Sequence, residues 1–487
     1  MKHLSQFIAI VLFIGMSPAL GFVAQFAPHA LAQGELPPTI IVNTTLDDLR
    51  GCPERCTLRS AIATASPGDV IGFDPVVSGV LVLAQSLVID KDLTINGPGA
   101  DVFAIDGSER LRVLEIPAGV TVSISGLTIQ NAGDSGIYNA GTLTVTASTF
   151  SGNAAGDRGD GGAIYNEGTL TVIDSTFSGN IAGYSGQGGG IYNSVGDLTI
   201  SNSTFSGNTS GDRGDGGGIS NYTGNLVISD STFSGNSTSG EGGGIHNFDG
   251  GLTITGSTFS GNSANTGGGI GMFGGNLAII GGTFSHNTAN FRGGGIHNSE
   301  GALTIMESIF SSNSAYGYDD GGGGIYSYGS SVVDLVVTDS LFSSNSAHGH
   351  GGGIGSHNGN LTITDSIFSN NSSDRNGGGI HNSYGKLTGS NSIFLNNTAD
   401  YGGGIMNYAG VLTIANSTLS GNSADSDGGG ILNYGVLTIA NSTLSGNLAG
   451  SGGGIGSHGG SLAITNCTLY GNSANIRGGG VFIGENG

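Results

Sequence analysis

Apolar and polar residues alternate in short runs along most of the chain. In the Leu-Thr-Ile run at 252–254, Leu252 and Ile254 share one face of a strand and Thr253 takes the other. Runs of this kind precede a recurring aromatic: Phe150, Phe177, Phe205, Phe233, Phe259, Phe284, Phe310, Phe342, Phe368 and Phe394, then Leu419, Leu444 and Leu469. From Ile254 to Phe259 is an odd step, so Phe reaches the same face only if the chain bends between them. Gly256 sits at that bend. Asp174, Asn202, Asp230, Glu307, Asp339, Asp365 and Asn416 hold the position in other copies, and most are turn formers. A third motif, most often Gly-Gly-Gly-Ile, recurs in phase from Ile137 to Val481 at steps of 24 to 29 residues.

Each repeat therefore reads as three short strands: one with Leu-Thr-Ile, one with Phe, one with Gly-Gly-Gly-Ile. No repeat has a helical period or the length for a helix. One coil cannot bury its own Leu, Ile, Phe and Ile, but stacked coils bury them as continuous columns. The expectation is an all-β parallel solenoid of about 13 or more coils, with coils about 4.8 Å apart. Polar columns fit the same stack. Asn follows each Phe by three residues, as Asn153, Asn180, Asn208, Asn236, Asn262 and Asn287 and onward, and an amide can both donate and accept along a ladder. A second inward Asn column follows the motif Ile, from Asn139 to Asn433.

The first part of the chain is less regular. Residues 1–32 read as a signal peptide: Lys2, an apolar run from Phe7 to about Ala24, and Ala30-Leu31-Ala32 at a small-residue cleavage site. An uncleaved anchor is the rival reading, since the run is nearly long enough to span. Residues 33–118 read as an N-terminal cap with irregular first coils. There Leu58, Ala61, Ile62 and Ala65 lie on one face of a short helix suited to cover the open end of a solenoid. Residues 119–487 are the regular repeats.

Composition narrows the class. The chain holds 96 Gly and 9 Pro, but glycine lacks a three-residue period and 37% of residues are hydrophobic, which excludes collagen and disorder. The phosphate-loop reading of Gly-Gly-Gly-Ile fails, because no helix follows and no Lys-Ser/Thr pair is present. With 13 Lys and Arg against 35 Asp and Glu, the protein has no basic face for nucleic acid or an anionic membrane. No second apolar run predicts a transmembrane span in the mature chain, and a monomer is expected. In an exported chain Cys52 and Cys56 would close a small disulfide loop; a zinc pair is the weaker alternative, as no further ligand pair lies nearby.

With these motifs assembled, the chain resembles two overlapping families. Gly161-Gly162-Ala163-Ile164 and the Phe-x-x-Asn motifs resemble the repeats of chlamydial polymorphic outer-membrane proteins. That resemblance implies a right-handed parallel β-helix, surface display and adhesion. Cys56-Thr57-Leu58-Arg59-Ser60-Ala61 resembles the CSLREA motif of exported bacterial β-helix proteins, with Ser60 where that pattern has Glu. The chlamydial proteins end in a membrane barrel, whereas the last repeat here, GGGVFIGENG, stops within a coil, so barrel anchoring is not implied. It reads as a fragment or as an end left for a partner to cover.

The residue after the motif Ile should face outward. Tyr138, Tyr165, Tyr192, His246, His297, Tyr326 and His381 then form a broken exposed stripe, a candidate platform for sugar rings. Exposed strand aromatics that merely pair with neighbours are the plainer reading. The stripe histidines make no metal site, since no adjacent pair shares its column with a carboxylate. The variable loop before the glycines twice carries GDRGDGG, placing Arg158 with Asp160 and Arg213 with Asp215 as candidate loop contacts of an adhesion type. Ordinary polar turns are the alternative. No cofactor is expected; calcium among Asp157, Asp160, Asp212 and Asp215 is a minor reading, because the calcium-binding β-helix nonapeptide is absent. No coil pairs an outward Asp with a neighbouring Lys or Arg, so no catalytic residue is named and the balance leans against an enzyme. The sequence thus points to an extracellular or cell-surface scaffold, outer-membrane association included, that binds a glycan or protein partner in the manner of an adhesin. The alternatives are a polysaccharide lyase or hydrolase and a passive spacer of a larger surface protein.

Overall fold

The computed structural model describes residues 40–49, 51–319, 321–329 and 333–484. The expected signal peptide lies outside the described residues. Apart from the helix Leu58–Thr64, the regular secondary structure of the described residues is all strand, in short segments joined by turns. Three sheets run the length of the stack, and every pairing in them is parallel. The Leu-Thr-Ile sheet has 17 strands, from Ile40–Val42 to Ser461–Thr465. The Phe sheet has 16, from Gly79–Val82 to Thr468–Tyr470, and the Gly-Gly-Gly-Ile sheet has 16, from Leu87–Val88 to Val481–Ile483. Register places like on like: Leu252 beside Leu277, Phe259 beside Phe284, Ile245 beside Ile270. The fold is a parallel β-helix.

A fourth sheet of nine strands, Ser263–Thr266 to Ser473–Arg477, corrects the expectation of three strands per coil. Its members are as short as Ser314–Ala315, small and polar, too brief to carry a periodic signal. In the preceding coils only isolated bridges mark it, at Ala154, Ile181, Thr209 and Ser237.

The core is a set of columns. The ten Phe rings stack with centroids 4.5–5.1 Å apart and planes within 9°. The coil repeat imposes this face-to-face overlap, and each fully buried ring contributes through burial first. The bend before Phe is a left-handed residue, with φ of 50° at Asp174, 49° at Asn202 and 48° at Asp230. That single residue brings Phe back to the core face.

The glycine triplet has a steric cause. Gly242 has φ +70°, and a Cβ there would lie 2.0 Å from the Ile245 carbonyl oxygen. At Gly243 a Cβ would lie 2.4 Å from the Gly268 oxygen of the next coil. The triplet thus lets two coils touch backbone to backbone.

Polar columns close the corners. Asn153 Nδ2 donates to Asn180 Oδ1 at 2.9 Å, Asn180 to Asn208 at 2.8 Å, and Asn208 to Asn236 at 2.9 Å. Asn236 donates to Asn262 at 3.0 Å and Asn262 to Asn287 at 2.9 Å, and the chain of bonds runs on to Asn472. Each Nδ2 in the run also reaches a carbonyl of the Phe column in an earlier coil, as Asn262 does to Phe233 at 3.0 Å; Ile129 takes that place for Asn153, and Leu419 and Leu444 for Asn447 and Asn472. The second column is broken: Met272 interrupts it, and Ser327 and Ser457 accept where Asn is missing. A serine column was not foreseen. Ser175 Oγ donates to the Ile173 carbonyl and accepts the Ser148 N–H, and the pattern repeats along the stack.

At the N-terminal end the helix Leu58–Thr64 is capped by the Thr57 side chain, which accepts from Ser60 N. Leu58, Ala61, Ile62 and Ala65 are buried against the first coils. Arg59 pins the helix: its Nε lies 2.6 Å from Asp47 Oδ1, and its Nη1 donates to the Ser86 carbonyl at 3.2 Å. Cys52 and Cys56 are disulfide-bonded, and Cys467 is free. No helix among the described residues is long and apolar enough to cross a membrane.

Candidate functional site

The stripe that follows the motif Ile is less open than its alternation implies. Tyr138, Tyr165, Tyr192 and His381 are half-buried. His246 and His297 are only 5% exposed and Tyr326 6%, which corrects the expectation of a solvent-facing row. The cause is the tight glycine turn. It folds the residue just before the first Gly over the stripe. Gln187 Oε1 accepts the Ser220 hydroxyl at 2.9 Å, Arg292 lies 5.4 Å from the Tyr326 ring centre, and the His350 ring lies 4.7 Å from that of His381.

Burial sets the protonation of these groups. It pushes His246 down, against the pull of the Asp215 charge. It pushes the Tyr165 phenol up to about 12, helped by the Glu167 carboxylate, which accepts from Tyr165 and from Tyr138. Carboxylates do reach stripe histidines, from the loop column and not from the stripe itself. Glu241 Oε2 lies 3.9 Å from His297 Nδ1, and burial holds the Glu241 carboxyl above its usual range. Among the described residues no three His, Cys, Asp or Glu side chains converge as a metal site would require.

A second aromatic row lies further along the chain from the stripe, two positions on for Tyr328, His357, Tyr408, Tyr434 and His458 and three for Tyr384, and it ends at Phe482, itself the residue after the motif Val481. Tyr328, His357, Tyr384, Tyr408, Tyr434, His458 and Phe482 follow one another with centroids 5.2–6.2 Å apart. Tyr384 is 56% exposed, Tyr408 43% and Tyr434 38%. Ring orientation varies along it. Tyr384 stands at 76° to His357 and 89° to Tyr408, whereas Tyr434 and His458 are stacked at 18°. Stacked rings show solvent only their edges, and rings turned out of the stack lay a face open. A shorter row, Tyr222, Phe248 and Phe273, is stacked throughout. Sequence reasoning missed both rows. Their signal was present, as an aromatic or His three residues after Ile219, Ile245, Ile270, Ile325, Ile354, Ile405, Ile431 and Ile455.

The two Arg-Gly-Asp loops split their charged groups. Arg158 and Arg213 are exposed, and Arg213 lies over the Tyr184 ring at 5.8 Å. Asp160 and Asp215 are half-buried and turned the other way. Each accepts a backbone N–H of the next coil at 2.7 Å, from Gln187 and from Glu241. The carboxylates thus serve the turn, and the pair does not present a joint Arg–Asp contact surface.

Comparison with known proteins agrees with this architecture. Residues 78–262 match the family described as a right handed beta helix region, and residues 365–383 match the Chlamydia polymorphic membrane protein repeat. No curated protein matches the sequence significantly. Similar solved structures include a mannuronic acid specific polysaccharide family 6 lyase from human gut microbiota. It is 13% identical over 78% of this chain and 87% of that one, with a TM-score of 0.41. Another is bacteriophage CBA120 tailspike protein 3, 12% identical over 84% of this chain and 58% of that one, TM-score 0.35. A third is a PL6 alginate lyase solved with a trisaccharide, 13% identical over 72% and 85%, TM-score 0.35. The chain is thus a right-handed parallel β-helix that carries a repeat of the Chlamydia polymorphic membrane protein type.

Proposed function

We propose that the protein is an exported, surface or secreted scaffold that binds a glycan along its aromatic row, in the manner of an adhesin. The carrying observation is the run from Tyr328 to Phe482, in which seven aromatic or imidazole rings follow the stack axis, with Tyr384, Tyr408 and Tyr434 exposed and the others half-buried. Exposed aromatics offer large, rigid apolar faces with polar tips, the chemistry that packs against the C–H faces of sugar rings and hydrogen-bonds their hydroxyls. The N-terminal stretch, read as an export signal, and the acidic, weakly basic composition fit an exported protein that meets neither nucleic acid nor an anionic membrane.

Incubating the purified protein with labelled polysaccharides, and following both retention and product size, tests this reading. The expected result is retention of an intact polymer. Shortened products would make the protein an enzyme. No retention of any polymer would leave a protein partner or a spacer role.

A further inference from the structure

One position in the buried stripe carries no side chain. Gly355 pairs with Tyr326 on one side and His381 on the other. The Tyr326 ring closes over the glycine, where a Cβ would meet Tyr326 Cδ2 at 3.1 Å, and the two flanking rings also line a cleft of about 290 Å³. Its lining includes Asp319, Tyr326, His350, Asn376 and His381, together with His357 and Tyr408. The last two belong to the second row, so the cleft adjoins it.

We propose that this cleft is a subsite for a single uncharged sugar residue, so that the glycan recognised is neutral and not a uronate or sulfate polymer. The inference rests on the glycan-binding reading above and names its substrate class. The size is that of a small ligand at the low end of binding cavities. The lining offers imidazole, amide and phenol groups and the Asp319 carboxylate, which match hydroxyls as donors and acceptors. It offers no spare positive charge. Arg375, the nearest cation of the loop beside it, pairs with Asp319 at 3.3 Å and lies 3.7 Å from the Tyr318 ring centre. Arg292, over Tyr326, acts on the Glu241 carboxylate. The imidazole of His381 is held neutral by burial and then by His350 and His357, down to about 3. The formal charge of −22 further opposes a polyanion. An anionic sugar needs a paired cation in such a site, and the cleft supplies none.

The test is calorimetric titration of the purified protein with hexamers of neutral sugars (cello-, manno-, xylo- and chito-oligosaccharides) and of uronates, at low and high salt. The expected result is binding of a neutral hexamer that salt leaves unchanged. His381→Ala, which removes one ring from the cleft lining, should weaken that binding about tenfold or more. Asn376→Ala should weaken it in the same direction, and it keeps the test valid if His381→Ala fails to fold. Salt-sensitive binding of uronates alone overturns the inference and leaves the glycan reading standing. So does neutral binding that both variants retain while Tyr384→Ala loses it. Absence of binding to every hexamer overturns both.

Discussion

Asparagine and glycine do the specific work at the scale of single residues. Asn313 shows why. Its Nδ2 donates to Asn345 Oδ1 and to the Phe284 carbonyl, and its Oδ1 accepts from both nitrogens of Asn287. Asn313→Ala orphans several buried groups at once, at about 1–3 kcal/mol for each left unsatisfied. Chemical denaturation should register a loss of about 3 kcal/mol or more. Gly243→Ala should be worse tolerated than Gly244→Ala. A Cβ at the first meets a carbonyl at 2.4 Å, whereas Ala163 already occupies the position equivalent to the second. Thermal melts of the two variants compare them directly. His381 and His246 are neutral in the fold because burial lowers both. Their neutral state favours folding above the unfolded histidine value of about 6.5, and that contribution is lost as pH falls from there towards 3. The melting temperature should therefore drop across that window. His381→Gln and His246→Gln together should flatten the drop.

Elements were legible wherever a strand carried a large apolar residue. Leu-Thr-Ile, Phe and the motif Ile announced three sheets, and the odd step from Ile254 to Phe259 announced the bend. The fourth sheet escaped because two-residue strands such as Ser314–Ala315 have neither period nor bulk. Strand alternation rightly turned the stripe away from the core. It could not show that the glycine turn lays side chains of a preceding coil's loop over His297 and Tyr326, since that cover comes from a different part of the coil. The second row was missed for a related reason: most of it lies where the strand ends, at the third residue after Ile, and Tyr384 stands at the fourth. The Phe column carries its own prediction. Leu419, Leu444 and Leu469 occupy that column naturally, so Phe259→Leu should cost little. Phe259→Ala should cost about 3–5 kcal/mol from the cavity it leaves, as read by denaturant unfolding.

The whole molecule behaves as a sum of coils. Each contacts chiefly its two neighbours, so stability should follow repeat number and the interfaces between repeats. Removal of residues 245–269 joins Gly244 to Ile270 and restores the Gly-Gly-Gly-Ile motif at the seam. That shortened protein should fold, with strand content by circular dichroism near that of the parent and a lower denaturant slope. The side surfaces then remain for function, and the row from Tyr328 to Phe482 is their most developed feature. The most direct measurement is glycan affinity of the parent protein beside a Tyr384→Ala/Tyr408→Ala/Tyr434→Ala variant, using the polymer that the parent retains. All three rings are exposed, so the variant should melt like the parent and bind about tenfold or more weakly. Equal affinity in a variant that folds normally would contradict the account.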